Sequence, residues 1–358
     1  MIQLDDVSAM ERLDPSDMRS RIAEFPDQID KAAAVFRSMS IPTHYVQAKN
    51  VLILGMGGSA MGGELAAALA VSQNPLPIEV RRDYDLPAYV SKDTLVIGVS
   101  YSGNTEETLS GFRMSAAKGA KLLAVTTGGE LASLARKFQV PVFPIDYEAQ
   151  PRAAMGYLFT AVMMILQKLR LYPLGLQELE ETAVLLRALD GKLNLSVPTR
   201  ENMAKTLALK LKDRIPLMIG SGPMSVVARR WKTQINENAK LAAVYDTLPE
   251  LCHNTNVGME RVWRQRDTLY PIFLQSSFAH PRNQLRANIV SKIFGSQKIQ
   301  PETVVVHPTG TPLSEALQMV MIGDYVSYYL AMLGNVDPTP VAPIEQLKKQ
   351  LAEHPMTS

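Results

Sequence analysis

The chain has 358 residues, 46% apolar and 20% charged, with 37 basic against 35 acidic residues for a net charge of +2. That length allows two domains with a core in each, and a balanced charge with no basic run argues against nucleic acid as the main partner. Cys252 is the single cysteine, which excludes an internal disulfide, a zinc knuckle or a CxxC redox pair. Its plain reading is a packed small side chain.

Residues 1–45 alternate charged and apolar positions at helical spacing, predicting an N-terminal helical arm. The opening Met-Ile-Gln-Leu-Asp-Asp has no basic or apolar leader pattern, so no signal peptide and a cytoplasmic location are expected. From Asn50 the pattern becomes strand–helix alternation. Strands are expected at Val51–Leu54, Ile78–Arg81, Leu95–Val99, Lys121–Val125 and Val140–Ile145, with helices starting near Ala60, Thr105 and Glu130. Short apolar strands spaced by helices predict a parallel sheet covered on both faces.

One long helix is expected from Pro151 to about Arg170 and another over Leu176–Leu189. The apolar run Ala153–Leu166 is shorter than the roughly 18–20 residues of a membrane span, so it reads as a buried helix. The 18 methionines read as core filler. A polar stretch from Gly191 to Glu201 looks like a domain boundary. The same grammar then returns: Leu217–Pro223 repeats strand, Gly-rich turn and helix, and Tyr270–Ser277 repeats a strand running into serines. Thr303–His307 predicts a further strand, Leu313–Leu333 a long helix, and Val336–Pro343 a linker before a short helix with Lys348 and Lys349. This reads as duplication of one α/β domain. Ser276 and Ser277 lack a following Gly-Asn-Thr, so their loop reads as a solvated turn.

Two loops carry the chemistry. The strand Leu95–Val99 runs into Ser100-Tyr-Ser-Gly-Asn-Thr105, whose hydroxyls and N–H groups crowd the positive end of the next helix. Gly55-Met-Gly-Gly-Ser59 likewise follows a strand and opens a helix. Two such anion cradles at neighbouring strand ends point to a phosphorylated small molecule. The second loop also fits a dinucleotide-binding G-x-G-x-x-A turn, with Glu79 or Asp83 as the acidic partner. That reading leaves the serine loop unexplained. No Gly-Lys-Ser/Thr follows the glycines, so a Walker-type P-loop is excluded.

Both loops resemble the sugar isomerase domain. Gln150-Pro-Arg-Ala-Ala154, Asn236-Glu-Asn-Ala-Lys240 and Pro249-Glu-Leu-Cys-His-Asn254 extend the resemblance to the bifunctional phosphoglucose/phosphomannose isomerases over roughly residues 45–350. In that family the histidine is typically followed by Asn-Glu-Ile and preceded by Asn; here Asn254 is followed by Thr255-Asn256, and Cys252 precedes His253. The expected fold is α/β, with two tandem sugar isomerase-type parallel-sheet sandwich domains at 46–190 and 191–335. They would lie between the arm at 1–45 and a C-terminal linker and helix at 336–358.

The resemblance implies an aldose–ketose isomerase acting on glucose 6-phosphate, mannose 6-phosphate and fructose 6-phosphate through a cis-enediol. It assigns the substrate phosphate to Ser59, Ser100, Ser102 and Thr105, with backbone N–H groups near Gly58. Glu237 would be the base, which requires reach to the carbon-bound proton. His253 would open the ring, Arg152 would stabilise the enediolate, and Lys348 would assist near the ring oxygen. The family pairing of subunits implies a homodimer in which one subunit's histidine serves the other's glutamate. No cofactor, metal, nucleic acid or membrane is expected, since no His and carboxylate spacing suits a metal site. The four other histidines, His44, His280, His307 and His354, read as structural. A non-catalytic phosphosugar sensor and a different phosphosugar-converting enzyme are the competing functions.

Overall fold

The computed structural model describes residues 3–173, 175–260, 268–306 and 310–354. The N-terminal arm folds as α1 (Val7–Leu13), α2 (Met18–Ala23) and α3 (Phe25–Ser38). It is no loose appendage. Phe25, Ile29, Ala32 and Phe36 of α3 repeat at three- and four-residue spacing and are all buried in the main core.

Five parallel strands follow, β1 (Asn50–Leu54), β2 (Ile78–Arg81), β3 (Thr94–Val99), β4 (Lys121–Thr126) and β5 (Val142–Pro144), in the order β2-β1-β3-β4-β5. They alternate with α4 (Gly57–Ala70), α5 (Glu106–Ala117) and α6 (Gly129–Lys137). In β1, Val51 and Ile53 enter the central core, while Leu52 and Leu54 pack beneath α5 and α6. A period of two with both faces buried produces the continuous apolar runs seen in the sequence.

The helix expected from Pro151 is two pieces. Pro151–Ala153 forms a 3-10 turn, Ala154 breaks the helical path at φ −97° and ψ 25°, and α7 (Met155–Lys168) follows. Proline is at home in such a first turn because it has no N–H to satisfy. Next, α8 (Leu176–Leu193) runs past Gly191, so the polar stretch begins later than expected. Leu193, 1% exposed, joins the core, and burying it outweighs the roughly 1 kcal/mol that a helical glycine costs.

The second half opens with α9 (Met203–Leu211), then β6 (Ile215–Ser221), α10 (Pro223–Ala239), β7 (Val244–Leu248), α11 (Thr255–Gly258), β8 (Leu269–Gln275), α12 (Pro281–Ser296) and β9 (Glu302–Val305). The four strands are parallel in the order β7-β6-β8-β9. The sequence did not mark α9, β7 or α12. β9 replaces the expected 303–307, and His307 lies outside the described residues. Finally, α13 (Pro312–Leu333) is buried at every position after its first proline, and α14 (Ala342–Ala352) at none.

One apolar cluster joins both sheets through α3, α7, α10 and α13. α10 packs along α13 and against α4, and the Trp231 indole donates to the Met319 carbonyl at 2.8 Å. The packing of α10 against α4 joins the halves and places the end of α10 near the loops of the first sheet. Among the described residues no helix is long and apolar enough to cross a membrane.

Candidate active site

In the first sheet the chain turns one way from β1 to β2 and the other way from β3 to β4. Ligands in open parallel sheets bind at such a switch point, beyond the carboxyl ends of the strands. The two loops singled out in the sequence lie there. After β1, the N–H groups of Ser59 and Ala60 turn back to the Met56 carbonyl. The first N–H groups of α4, including that of Gly58, have no helical acceptor to reach.

Thr105 is the N-cap position of α5. Its hydroxyl lies 2.8 Å from that of Ser100, and the Ser59 hydroxyl accepts the Tyr101 N–H at 3.1 Å, tying the two loops together. Ser102 is exposed, and its hydroxyl accepts the Asn104 N–H at 3.3 Å. Gly103 lets the serine loop cross the loop after β4. Its φ is +71°, and a Cβ there would lie 1.9 Å from the Gly128 carbonyl oxygen. The result is a compact cradle of hydroxyl and N–H donors at a helix start, with no fixed positive charge of its own.

Arg152 sits directly against this cradle. A Cβ on Gly58 would stand 3.1 Å from the Arg152 Cα and N and from the Pro151 carbonyl, so glycine permits the approach. The 3% exposed Arg152 is held on three sides. Its Nε donates to Asn238 Oδ1 at 2.7 Å, and its Nη2 donates to the carbonyls of Pro338 and Thr339 at 2.8 Å each. Nη1 faces Glu237 Oε2 at 3.5 Å. Burial pulls the guanidinium below its usual pKa; Glu237 works against that and Arg230 adds to it. Lys240, at the end of α10, donates to the carbonyls of Glu237 and Pro338. Burial, helped by Arg152, lowers its pKa as well.

The structure therefore brings together Gly58, Arg152 and Glu237 beside the cradle of Ser59, Ser100 and Thr105. Two expected residues stand apart. His253 is exposed in the 3-10 turn Glu250–His253 and has no side-chain contact with Glu237 or Arg152 among the described residues. Lys348 is exposed on α14, tied to the site only through the linker carbonyls that Arg152 holds. Asn238, Lys240 and the linker at 338–339 are site components that sequence reasoning missed. The first two lie inside the quoted Asn-Glu-Asn-Ala-Lys motif; nothing in the sequence tied the linker to Arg152.

The other features assigned a structural reading fit it in part. Cys252 packs against the outer core of the second sheet, and burial raises its thiol pKa. His280 caps α12, its Nδ1 accepting the Arg282 N–H at 3.1 Å. The Ser276–Ser277 loop is no simple solvated turn, for it clamps the carboxylate of Glu315. Among the described residues no group of three or more His, Cys, Asp or Glu side chains is placed to hold a metal ion.

Two parallel sheets of this topology, with the serine cradle at the switch point of the first, define a tandem sugar isomerase (SIS) domain protein. The SIS domain family matches residues 44–169, and the bacterial phospho-glucose isomerase C-terminal SIS domain matches residues 200–351. A bifunctional phosphoglucose/phosphomannose isomerase of Caldicellulosiruptor bescii is 39% identical over 94% of this chain and 99% of its own. Another so named, from Thermoplasma acidophilum, is 35% identical over 85% of this chain and 90% of its own. The fold is also that of a hypothetical protein from Thermus thermophilus, with a TM-score of 0.72 at 16% identity over 97% of this chain and 94% of that one. The chain belongs to the family of bifunctional phosphoglucose/phosphomannose isomerases.

Proposed function

We propose that this protein interconverts glucose 6-phosphate and mannose 6-phosphate with fructose 6-phosphate through a shared cis-enediol. The observation that carries the reading is the approach of Arg152 to Glu237 at 3.5 Å beside the loop at Gly58. A phosphate anchor, a fixed cation and a carboxylate base then adjoin one another in turn.

Ser59, Ser100, Ser102 and Thr105, with the N–H groups around Gly58, take the phosphate. Neutral donors at a helix start suit a dianion that must also leave. Glu237 removes the C2 proton of either aldose and returns it to C1, or the reverse. When the proton leaves, negative charge collects on the enediolate oxygens, and Arg152 Nη1, 3.5 Å from Glu237 Oε2, supplies fixed positive charge beside them. The two aldoses differ only at C2, so rotation of the open chain about C2–C3 lets one base serve both. His253 handles ring opening, and Lys348 assists near the ring oxygen.

The exposed position of His253 favours a site completed by a second copy of the chain, in which the histidine of one subunit serves Glu237 of the other. A cytoplasmic homodimer is the assembly that fits this. The domain division that goes with it is 46–190 and 191–335, flanked by the arm at 1–45 and the linker and helix at 336–358. A non-catalytic sensor would need the serine cradle but not a buried arginine aimed at a carboxylate, so the enzyme reading is favoured. Incubation of the purified protein with fructose 6-phosphate, with separate assay of both aldose phosphates, tests this. Both products should appear, and appearance of neither would overturn it.

A further inference from the structure

Both ends of Arg152 are fixed from a single turn of α13. Which nitrogen of the guanidinium points at Glu237 is decided by what the others hold. Nε is taken by Asn238 and Nη2 by two linker carbonyls, so Nη1 is the nitrogen turned toward the carboxylate. Asn238 can accept from Nε only if its amide presents oxygen rather than nitrogen, and Ser327 sets that choice. The Ser327 hydroxyl donates its one proton to the Asp324 carbonyl at 2.7 Å. Its oxygen is left to accept, and Asn238 Nδ2 donates into it at 2.9 Å. A flipped Asn238 would set donor against donor at Arg152 and leave the hydroxyl facing a carbonyl.

A second line starts from the same turn and ends on the arginine's main chain. The Asp324 carboxylate accepts from Arg230 Nε at 3.1 Å and Nη2 at 2.6 Å, and from Gln234 Nε2 at 3.0 Å. Arg230 Nη2 also donates to the Arg152 carbonyl at 3.1 Å. All six members, Arg152, Arg230, Gln234, Asn238, Asp324 and Ser327, are at most 6% exposed. Of this network only the Gln234 side-chain oxygen is buried without a partner among the described residues, and burying so many polar groups costs more than an apolar pair packing α10 on α13 would.

We propose that Ser327 is a positioning residue that acts through Asn238 to aim Arg152 Nη1 at the enediolate oxygens beside Glu237, while Asp324 and Arg230 fix the same arginine's backbone. This rests on the enediolate role given to Arg152 above. The cradle hydroxyls of Ser59, Ser100, Ser102 and Thr105 bond within the two loops and not to the Arg152 side chain, Asn238 or Ser327. Loosening Arg152 therefore acts on turnover and leaves substrate capture alone.

The test is steady-state kinetics on the full-length protein with each aldose phosphate. Ser327→Ala is expected to lower kcat about tenfold or more for both, with KM changed by no more than about twofold. Ser327→Thr, which keeps the hydroxyl, restores most of that kcat. Ser327→Cys has nearly the same size but accepts weakly, so it gives the same loss and decides the matter if Ser327→Ala does not fold. In an Arg152→Ala background, Ser327→Ala causes no further loss, because its effect runs through the missing side chain. Wild-type kcat in Ser327→Ala beside a crippled Arg152→Ala, or an undiminished extra loss in the double variant, overturns this inference alone. Wild-type kcat in Arg152→Ala overturns the enediolate assignment and this inference with it.

Discussion

Ser277 donates both its main-chain N–H and its hydroxyl to the carboxylate of Glu315, the N–H at 3.1 Å. Ser276 adds a third donor at 2.5 Å, and Glu315 is 1% exposed in the first turn of α13. The serine loop of the second sheet is thus engaged by a carboxylate of the same chain, whereas in the first sheet the Ser100 hydroxyl meets that of Thr105. The crevice beside β6 and β8, lined by Gly220, Ser221, Ser276 and Gln284 among others, holds a cavity of about 10 Å³, room for roughly one water. Glu315→Ala is expected to destabilise the protein by about 2–3 kcal/mol, because charge-assisted bonds are lost and the loop donors must find water instead. Denaturant unfolding measures this; a loss below about 0.5 kcal/mol would mean the clamp contributes nothing beyond packing.

The first cradle responds differently. Ser100→Ala with Thr105→Ala removes two hydroxyls that lie 2.8 Å apart at the start of α5. KM for fructose 6-phosphate is expected to rise at least about tenfold, since several donors to one dianion are lost together. Stability changes little, as the two hydroxyls bond each other and are removed together. An unchanged KM would reject the phosphate assignment.

The layout of the first half was legible because it obeys local rules. The apolar run Leu95–Val99 ends in hydroxyl residues, and β3, the cradle and α5 follow in that order. Elsewhere local signals were blurred. On α12, Ala287, Val290 and Phe294 are buried at helical spacing, but Leu285 and Ile289 on the outer face are apolar as well, which hides the stripe. Residues of β7 such as Tyr245 and Asp246 are only half-buried, so it reads as loop. The break at Ala154, which gives Arg152 its own short turn, has no cue beyond Pro151. Contacts between distant segments, such as Arg152 with the linker carbonyls 186 and 187 residues later, follow from tertiary packing alone.

His253 supplies a test of assembly. Glu237→Gln and His253→Ala proteins, each inactive alone, should regain part of the wild-type activity when mixed under conditions that let subunits exchange. Each mixed dimer would hold one site with both groups intact. If exchange is demonstrated by mass or by label transfer and no activity returns, a site shared between subunits is wrong.

Glu237 gives the most direct test of the central claim, that one base in one site serves both epimers. Glu237→Gln keeps size and hydrogen bonding but removes the proton acceptor. Formation of glucose 6-phosphate and of mannose 6-phosphate from fructose 6-phosphate would be followed in the same reaction, without added metal and with EDTA present. Both rates should fall together by at least about a hundredfold, while the melting temperature stays near that of the wild type. Loss of one product with the other formed at its normal rate would show two separate chemistries, and unchanged formation of both would show that Glu237 is not the base.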